Sequence, residues 1–252
     1  MRRLALALTF GTFLAGSCEC GGAEKDFRVD VPLTVGDTWY FREEDDSAAA
    51  QYLDTTIAAK DTAFKGTDAV ALYTVHANYQ RDTVLAYIRG DTYYHYSRTT
   101  GFFPESLNWQ GYWYYVEFDE PKIELAGLPL ELDLGDDWVV ARGSGKIHKE
   151  GESPEPVTAE VTAVFDSVQT VQILDTIYAE LHPGESLLVY ENALRVRYIG
   201  HLTYKGVPID LEIGRSWWLP GYGVVKQWTY STDEQGRYDP LVMYLVKYTG
   251  EK

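Results

Sequence analysis

The residue types that most often carry chemistry are present in this chain but are not arranged for it. The five histidines, His76, His95, His148, His182 and His201, stand apart from one another. None falls in an H-x-H or H-E-x-x-H spacing, so no two imidazoles are placed to share a metal ion. His95 sits inside Tyr93-Tyr94-His95-Tyr96, where it reads as a packed or surface residue of a strand rather than a catalytic base. No Gly-x-Ser-x-Gly occurs. Gly143-Ser144-Gly145-Lys146 lacks the spacer between glycines of a phosphate-binding loop and is expected to form a hairpin turn. Gly221-Tyr222-Gly223 follows a proline and reads as a tight turn. Glu43-Glu44-Asp45-Asp46 neither alternates ligands with spacers nor supplies a bending glycine, so it reads as a solvated turn and not a calcium loop. Among 38 acidic residues many carboxylate pairs arise by accident, and nothing singles out a glycosidase pair. The expectation is no catalytic residue, no metal ion and no cofactor.

What remains is aromatic. The chain holds 20 Tyr and 7 Trp, concentrated in Tyr93-Tyr94-His95-Tyr96, in Trp109-Gln110-Gly111-Tyr112-Trp113-Tyr114-Tyr115 and in Trp217-Trp218. Successive side chains of a strand point to opposite faces, so such runs put rings on both. One face can be core; the other is either a cross-strand ladder or a binding surface. Flat rings with one polar handle suit sugar rings, acyl chains or a protein partner. The candidate ligand-binding set is Tyr94, Tyr96, Trp109, Tyr112, Trp113 and Tyr115, expected to form the rim of a concave face. Gly111 interrupts the run as a bulge or a close approach would.

These residues need a scaffold, and the pattern for one is strong. In Val157-Thr158-Ala159-Glu160-Val161-Thr162-Ala163-Val164-Phe165 the odd positions are apolar and all but one even position is polar, giving one buried and one wet face. Further strands are expected at 68–78, 82–89, 90–98, 113–125, 138–148, 187–202, 207–218, 224–230 and 241–248. Turn chemistry separates them at Lys65-Gly66, Arg89-Gly90-Asp91, Lys205-Gly206 and Glu234-Gln235-Gly236. The one helical candidate, 47–59, is opposed by its own Thr55-Thr56-Ile57, and 172–182 is ambiguous. Residues 150–156 are polar and proline-containing and read as a surface loop, and 99–110 as a second long connection. The fold class is therefore all-β: a strongly curved, mostly antiparallel sheet, half-barrel or sandwich-like, built as one domain over 30–252. At 252 residues the chain can bury a sizeable core, and its net charge of −16 argues against nucleic acid and against a polybasic membrane patch.

The first residues carry an address. Arg2 and Arg3 precede a twelve-residue apolar run ending at Ala15, too short to cross a bilayer core of about 30 Å as a helix. That describes a signal peptide over 1–17. Leu14-Ala15-Gly16-Ser17-Cys18 resembles the bacterial lipobox, which implies lipid attachment at Cys18, with 18–29 as a tether. Cys18 and Cys20 are the chain's only cysteines, so no disulfide staples the domain. Acyl chains buried at about 0.8 kcal/mol per CH₂ make a lasting anchor. Glu19 stands where an aspartate would favour inner-membrane retention, so the expected location is the outer membrane, facing periplasm or surface.

Two stretches echo each other. Val31-Pro32-Leu33-Thr34-Val35-Gly36-Asp37-Thr38-Trp39 returns as Leu128-Pro129-Leu130-Glu131-Leu132-Asp133-Leu134-Gly135-Asp136-Asp137-Trp138. Both hold Pro-Leu and then Gly-Asp-x-Trp, which raises two duplicated halves meeting near 121–137 in one continuous core. With the late segment from Trp217 to Lys226 (Trp-Trp-Leu-Pro-Gly-Tyr-Gly-Val-Val-Lys), these motifs resemble a loose group of bacterial envelope lipoproteins. The resemblance implies an all-β domain in the periplasm or on the cell surface and carries over no catalytic residue. At the level of fold alone, such domains look like the open half-barrels of periplasmic lipoprotein carriers, which hold acyl chains in a concave sheet. The leading expectation is a lipid-anchored, non-enzymatic binding or scaffolding module for a hydrophobic ligand. A glycan-binding module is the alternative, and an unrecognised hydrolase the third.

Overall fold

The computed structural model describes residues 26–43, 54–75, 81–98, 103, 105–174, 187–232 and 238–250. The signal peptide, Cys18, Cys20 and the turn at 234–236 lie outside the described residues. Sixteen strands and no helix form the described chain: β1 (Phe27–Arg28), β2 (Thr38–Glu43), β3 (Asp54–Phe64), β4 (Thr67–Val75), β5 (Arg81–Arg89), β6 (Thr92–Arg98), β7 (Ser106–Trp109), β8 (Tyr112–Phe118), β9 (Lys122–Pro129), β10 (Glu131–Leu132), β11 (Asp137–Lys149), β12 (Glu155–Leu174), β13 (Leu187–Tyr204), β14 (Val207–Leu219), β15 (Gly223–Thr232) and β16 (Tyr238–Thr249). The all-β, curved antiparallel reading is correct.

Fourteen strands make one sheet in the order β7-β8-β11-β12-β13-β14-β15-β16-β2-β3-β4-β5-β6-β9, and β1 pairs with β10 beside it. Every pairing is antiparallel, as turns with Lys65, Gly66, Lys205 and Gly206 at positive φ favour. The sheet curls without closing into a barrel. Its edge strand β9 approaches β11, where the Trp138 indole N–H donates to the Ala126 carbonyl at 3.0 Å.

Two buried clusters hold it together. The larger lies inside the curl and gathers Tyr93, Tyr114, Val116, Leu128, Ile147, Val161, Phe165, Val196, Ile209 and Trp218 among others. The second lies on the opposite side of the same strands and contains Trp39, Ala58, Ile173, Tyr190, Trp217, Val225 and Leu245. Adjacent residues serve different cores: Ala193 one and Leu194 the other, Trp217 one and Trp218 the other. The tryptophan pair thus has both faces covered. The expected single core is replaced by two, because β12 and β13 are long enough to run through both. They turn at irregularities in their pairing at Phe165/Ser167 and Gln169/Val171.

Other expectations are corrected by the ladder. Gly143-Ser144-Gly145-Lys146 is no hairpin turn but lies within β11, paired to both β8 and β12. A Cβ on Gly145 would come within 2.2 Å of the Glu117 carbonyl oxygen, so the glycine marks the closeness of β8. Residues 150–156 are not all loop, since β12 begins at Glu155 and Pro156 pairs with Lys146. The stretch 113–125 is two strands broken at 119–121, and the 99–110 connection contains β7. From Asp54 onward the helical candidate is β3. The tether is shorter than 18–29, because Val29 is buried and its N–H donates to Leu130.

The echoed motifs are built alike. The Asp37 carboxylate accepts from the Thr34 N–H at 2.8 Å, and Asp136 accepts from Asp133 at 2.8 Å. Gly36 and Gly135 take φ of 104° and 96°. Gly36 and Asp37 exchange backbone hydrogen bonds with Ala58, and Gly135 and Asp136 with Phe165. Each turn therefore docks at the position just before a bulge, in β3 and β12 respectively. The halves interlock, with β9 returning to β6 and β16 pairing with β2.

Candidate functional site

The curl holds a half-open cavity of about 220 Å³. Its walls come from β6, β9, β11, β12, β13, β14 and β15, with Leu125, Val140, Val161, Ile213, Trp218 and Val224 supplying most of the apolar surface. Bulges create it. The pairing of β6 with β9 skips Gly127, that of β11 with β12 skips Val140, and that of β13 with β14 skips Ile213. All three skipped residues line the cavity. An extra residue bends its strand and sharpens the twist, so bulges in three walls concentrate curvature around one point.

Polar groups are few and mostly satisfied. The Ser216 hydroxyl, itself buried, meets the Tyr198 hydroxyl at 2.9 Å and accepts from the Trp218 indole at 2.7 Å. Burial raises the Tyr198 phenol above its usual range, so it stays protonated. Gln227 and Thr229 also line the cavity, the first exposed and the second half-buried. Arg215 is engaged by the Glu212 carboxylate and lies 5.3 Å from the centre of the Trp228 ring. Phe103 closes one end against Phe118, ring centres 5.9 Å apart. It lies over Gly200, where a Cβ would come within 2.7 Å of its ring. His95 stands on the β6 wall, its ring 4.9 Å from Tyr93 and packed over Gly127. Burial lowers its imidazole to about 4, so at neutral pH it carries no charge.

The sequence-derived site residues lie elsewhere. Tyr94 and Tyr96 point away from the cavity, in a ladder where Tyr94 stacks on Tyr87 at 5.5 Å and Tyr96 meets Phe64 at 4.6 Å. Arg89 covers Tyr94 at 4.4 Å and joins Lys65 on Glu124. On β8, Tyr114 and Val116 face the inner core, so alternation turns Trp113 and Tyr115 outward. Tyr115 stacks on His148, and Lys149 lies 3.2 Å from the centre of the Tyr112 ring. Tyr112 and Tyr115 are exposed, at 52% and 38%. The Trp109 side chain lies outside the described residues. At least two exposed rings on this segment, near Tyr94 or Tyr96, were expected; Tyr112 and Tyr115 are exposed. Trp113 and Tyr115 face away from the inner core rather than rimming the concave side.

Sequence reading missed the bulges, Phe103 and Tyr198. The interior-strand glycines Gly127, Gly200 and Gly214 were the available signal, since a glycine there marks a close approach. It also missed a trio on the outer face. The His201 ring shares a hydrogen bond with Asp210 at 2.8 Å through one nitrogen and with Thr162 at 2.8 Å through the other. That is the connectivity of a nucleophile, base and orienting acid. It sits on ladder-paired strands, where β12 is bonded on both sides, so backbone N–H groups near Thr162 are committed to neighbours and not to an oxyanion. The trio is a cross-strand polar row.

Compared with known proteins, the sequence matches no family model and no curated protein. Two solved structures are similar in shape. One is a candidate lipoprotein from Parabacteroides distasonis ATCC 8503, with a TM-score of 0.47 and 13% identity over 89% of this chain and 100% of that one. The other is a candidate exported protein with a YmcC-like fold from Bacteroides fragilis NCTC 9343, with a TM-score of 0.47 and 13% identity over 88% of this chain and 100% of that one.

Proposed function

We propose that this is a lipid-anchored bacterial envelope protein that holds a small hydrophobic ligand inside its curved sheet and does no chemistry on it. The observation that carries the ligand is the cavity: about 220 Å³ bounded by Leu125, Val140, Val161, Ile213, Trp218 and Val224, and curved by three bulges. An apolar cavity of about 150 Å³ accommodates benzene, so this one suits a molecule of roughly eight to ten heavy atoms. A deep apolar concavity favours a hydrophobic ligand over a glycan, which a planar exposed row of rings would favour. Tyr112 and Tyr115 alone are too few and too engaged by Lys149 and His148 to make that row. The envelope location and the anchor rest on the leader and on Cys18.

Two experiments test the two parts. Calorimetry with toluene should detect binding to the purified protein, and Val140→Phe, which fills the cavity, should abolish it while the protein still melts cooperatively. No toluene binding by the parent protein would remove the ligand reading. Cys18→Ala should release the protein from membranes and end labelling by a palmitate analogue, and continued labelling of that variant would remove the anchor.

A further inference from the structure

One imidazole in the cavity wall, that of His95, has no hydrogen-bond partner among the described residues at either ring nitrogen. Its described ring neighbour is Tyr93, at 4.9 Å between centres. Gly127 lies under the imidazole, and a side chain at that position would come within 2.6 Å of Nε2. Because Gly127 is also the residue skipped by the β6–β9 pairing, the bulge makes the room the ring occupies. Of the other polar groups on this wall, Ser216 is bonded to Tyr198 and Trp218, and Gln227 is exposed to water. The ring is only part-buried, so water meets its nitrogens until a ligand takes that place. Such a group earns its place when something else completes its bonds.

We propose that His95 is the polar anchor of the cavity, hydrogen-bonding the single uncharged oxygen, hydroxyl or carbonyl, of an otherwise apolar ligand. This rests on the cavity being a ligand site and adds the class of ligand. Neutral imidazole offers one N–H donor and one bare nitrogen, so it serves a carbonyl and a hydroxyl equally well. An anion is disfavoured. The charged residue beside the cavity, Arg215, is already engaged by Glu212 and Trp228, and β14 alternation sends it to the side opposite Ser216 and Trp218. A carboxylate carried inward would be a buried charge without a partner.

The test uses one ring with four substituents. Toluene, benzyl alcohol, acetophenone and benzoate all match the cavity in size, and each is titrated calorimetrically into the purified protein and into His95→Phe. In the parent protein, benzyl alcohol and acetophenone should bind at least as tightly as toluene, and benzoate most weakly. In His95→Phe the alcohol and ketone should lose about tenfold relative to toluene, while toluene itself is unchanged. A second measurement needs no variant: benzyl alcohol should shift the His95 ring nitrogen resonances of the parent protein. Equal losses for all four ligands, or no shift of those resonances on saturation, would overturn the anchor while leaving the cavity reading intact. Tightest binding by benzoate would overturn the uncharged class. Failure of every ligand to bind would remove the cavity reading and the anchor with it.

Discussion

At the residue scale, burial separates the aromatic residues into two kinds that look identical in the sequence. Trp218 is 3% exposed and contacts Tyr93 at 5.8 Å, so Trp218→Ala should destabilise by about 3–5 kcal/mol, read from a denaturant midpoint. Tyr112→Ala, at a ring half in water, should stay within about 0.5 kcal/mol of the parent. A loss at Tyr112 comparable to that at Trp218 would mean the outer face of β8 is covered. Two titrating groups make a second case. The folded imidazole of His95 is lowered to about 4 by burial, so below its ordinary value near 6.5 protons bind the unfolded chain preferentially. Burial alone would raise the Glu124 carboxyl, but the Tyr87 hydroxyl, Lys65 and Arg89 beside it outweigh that and hold it at about 2. Its contribution is present above about 4.5 and fades as pH falls toward 2. Melting temperature should therefore begin to fall below about pH 6.5 and keep falling through pH 3. His95→Phe should remove the upper part of that decline, and an unchanged profile in the variant would contradict the assignment.

Among the elements, what the sequence made legible was the strand with a single allegiance. Residues 157–165 alternate cleanly because one face of β12 is core and the other wet. The pattern fails where a strand answers to two cores. Trp217 and Trp218 read as rings on a buried and an open face, yet each enters a different cluster, so apolar residues at consecutive positions no longer signal an exposed surface. Bulges fail for another reason. Skipping Val140 or Ile213 changes register by one residue without demanding any particular residue type, and the cavity is made of such steps. Only Gly127 betrays one. The echoed turns were legible because positive φ and an aspartate cap do demand residue types. They support a matched prediction: Gly36→Ala and Gly135→Ala should each be destabilising by at least about 1 kcal/mol, because a Cβ is strained at their φ whatever the space around it. A large loss at one and none at the other would show that the second turn only decorates the sheet. Gly200→Ala should instead act through Phe103, displacing the ring that closes the cavity. Its measurable effect is a change in ligand affinity larger than its change in stability.

Across the whole molecule, the order of strands sets what must come together last. β7, β8 and β11 to β16 make one arm of the sheet and β2 to β6 with β9 the other, and the pairing of β16 with β2 is the joint. That joint links residues separated by nearly the full described length, the kind of contact that slows folding. It is clasped by Tyr248, whose hydroxyl donates to Asp37 at 2.9 Å, and by Trp39, 5.7 Å from the Tyr248 ring. Tyr248→Phe should thus slow refolding or speed unfolding without touching the cavity, and toluene affinity should be preserved. The joint also decides how the domain bears load. Thr38 opens β2 and Thr249 closes β16, and the two are register partners, so the described chain enters and leaves its sheet at one spot. Tension applied at those two points runs across the strands and along the hydrogen bonds, which then break one after another as in a zipper instead of together as in shear. A pull that reaches the domain from its N-terminal side meets β1 first, so the pairing of β1 with β10 and the Val29 bond to Leu130 must give before the load falls on the Asp37 clasp.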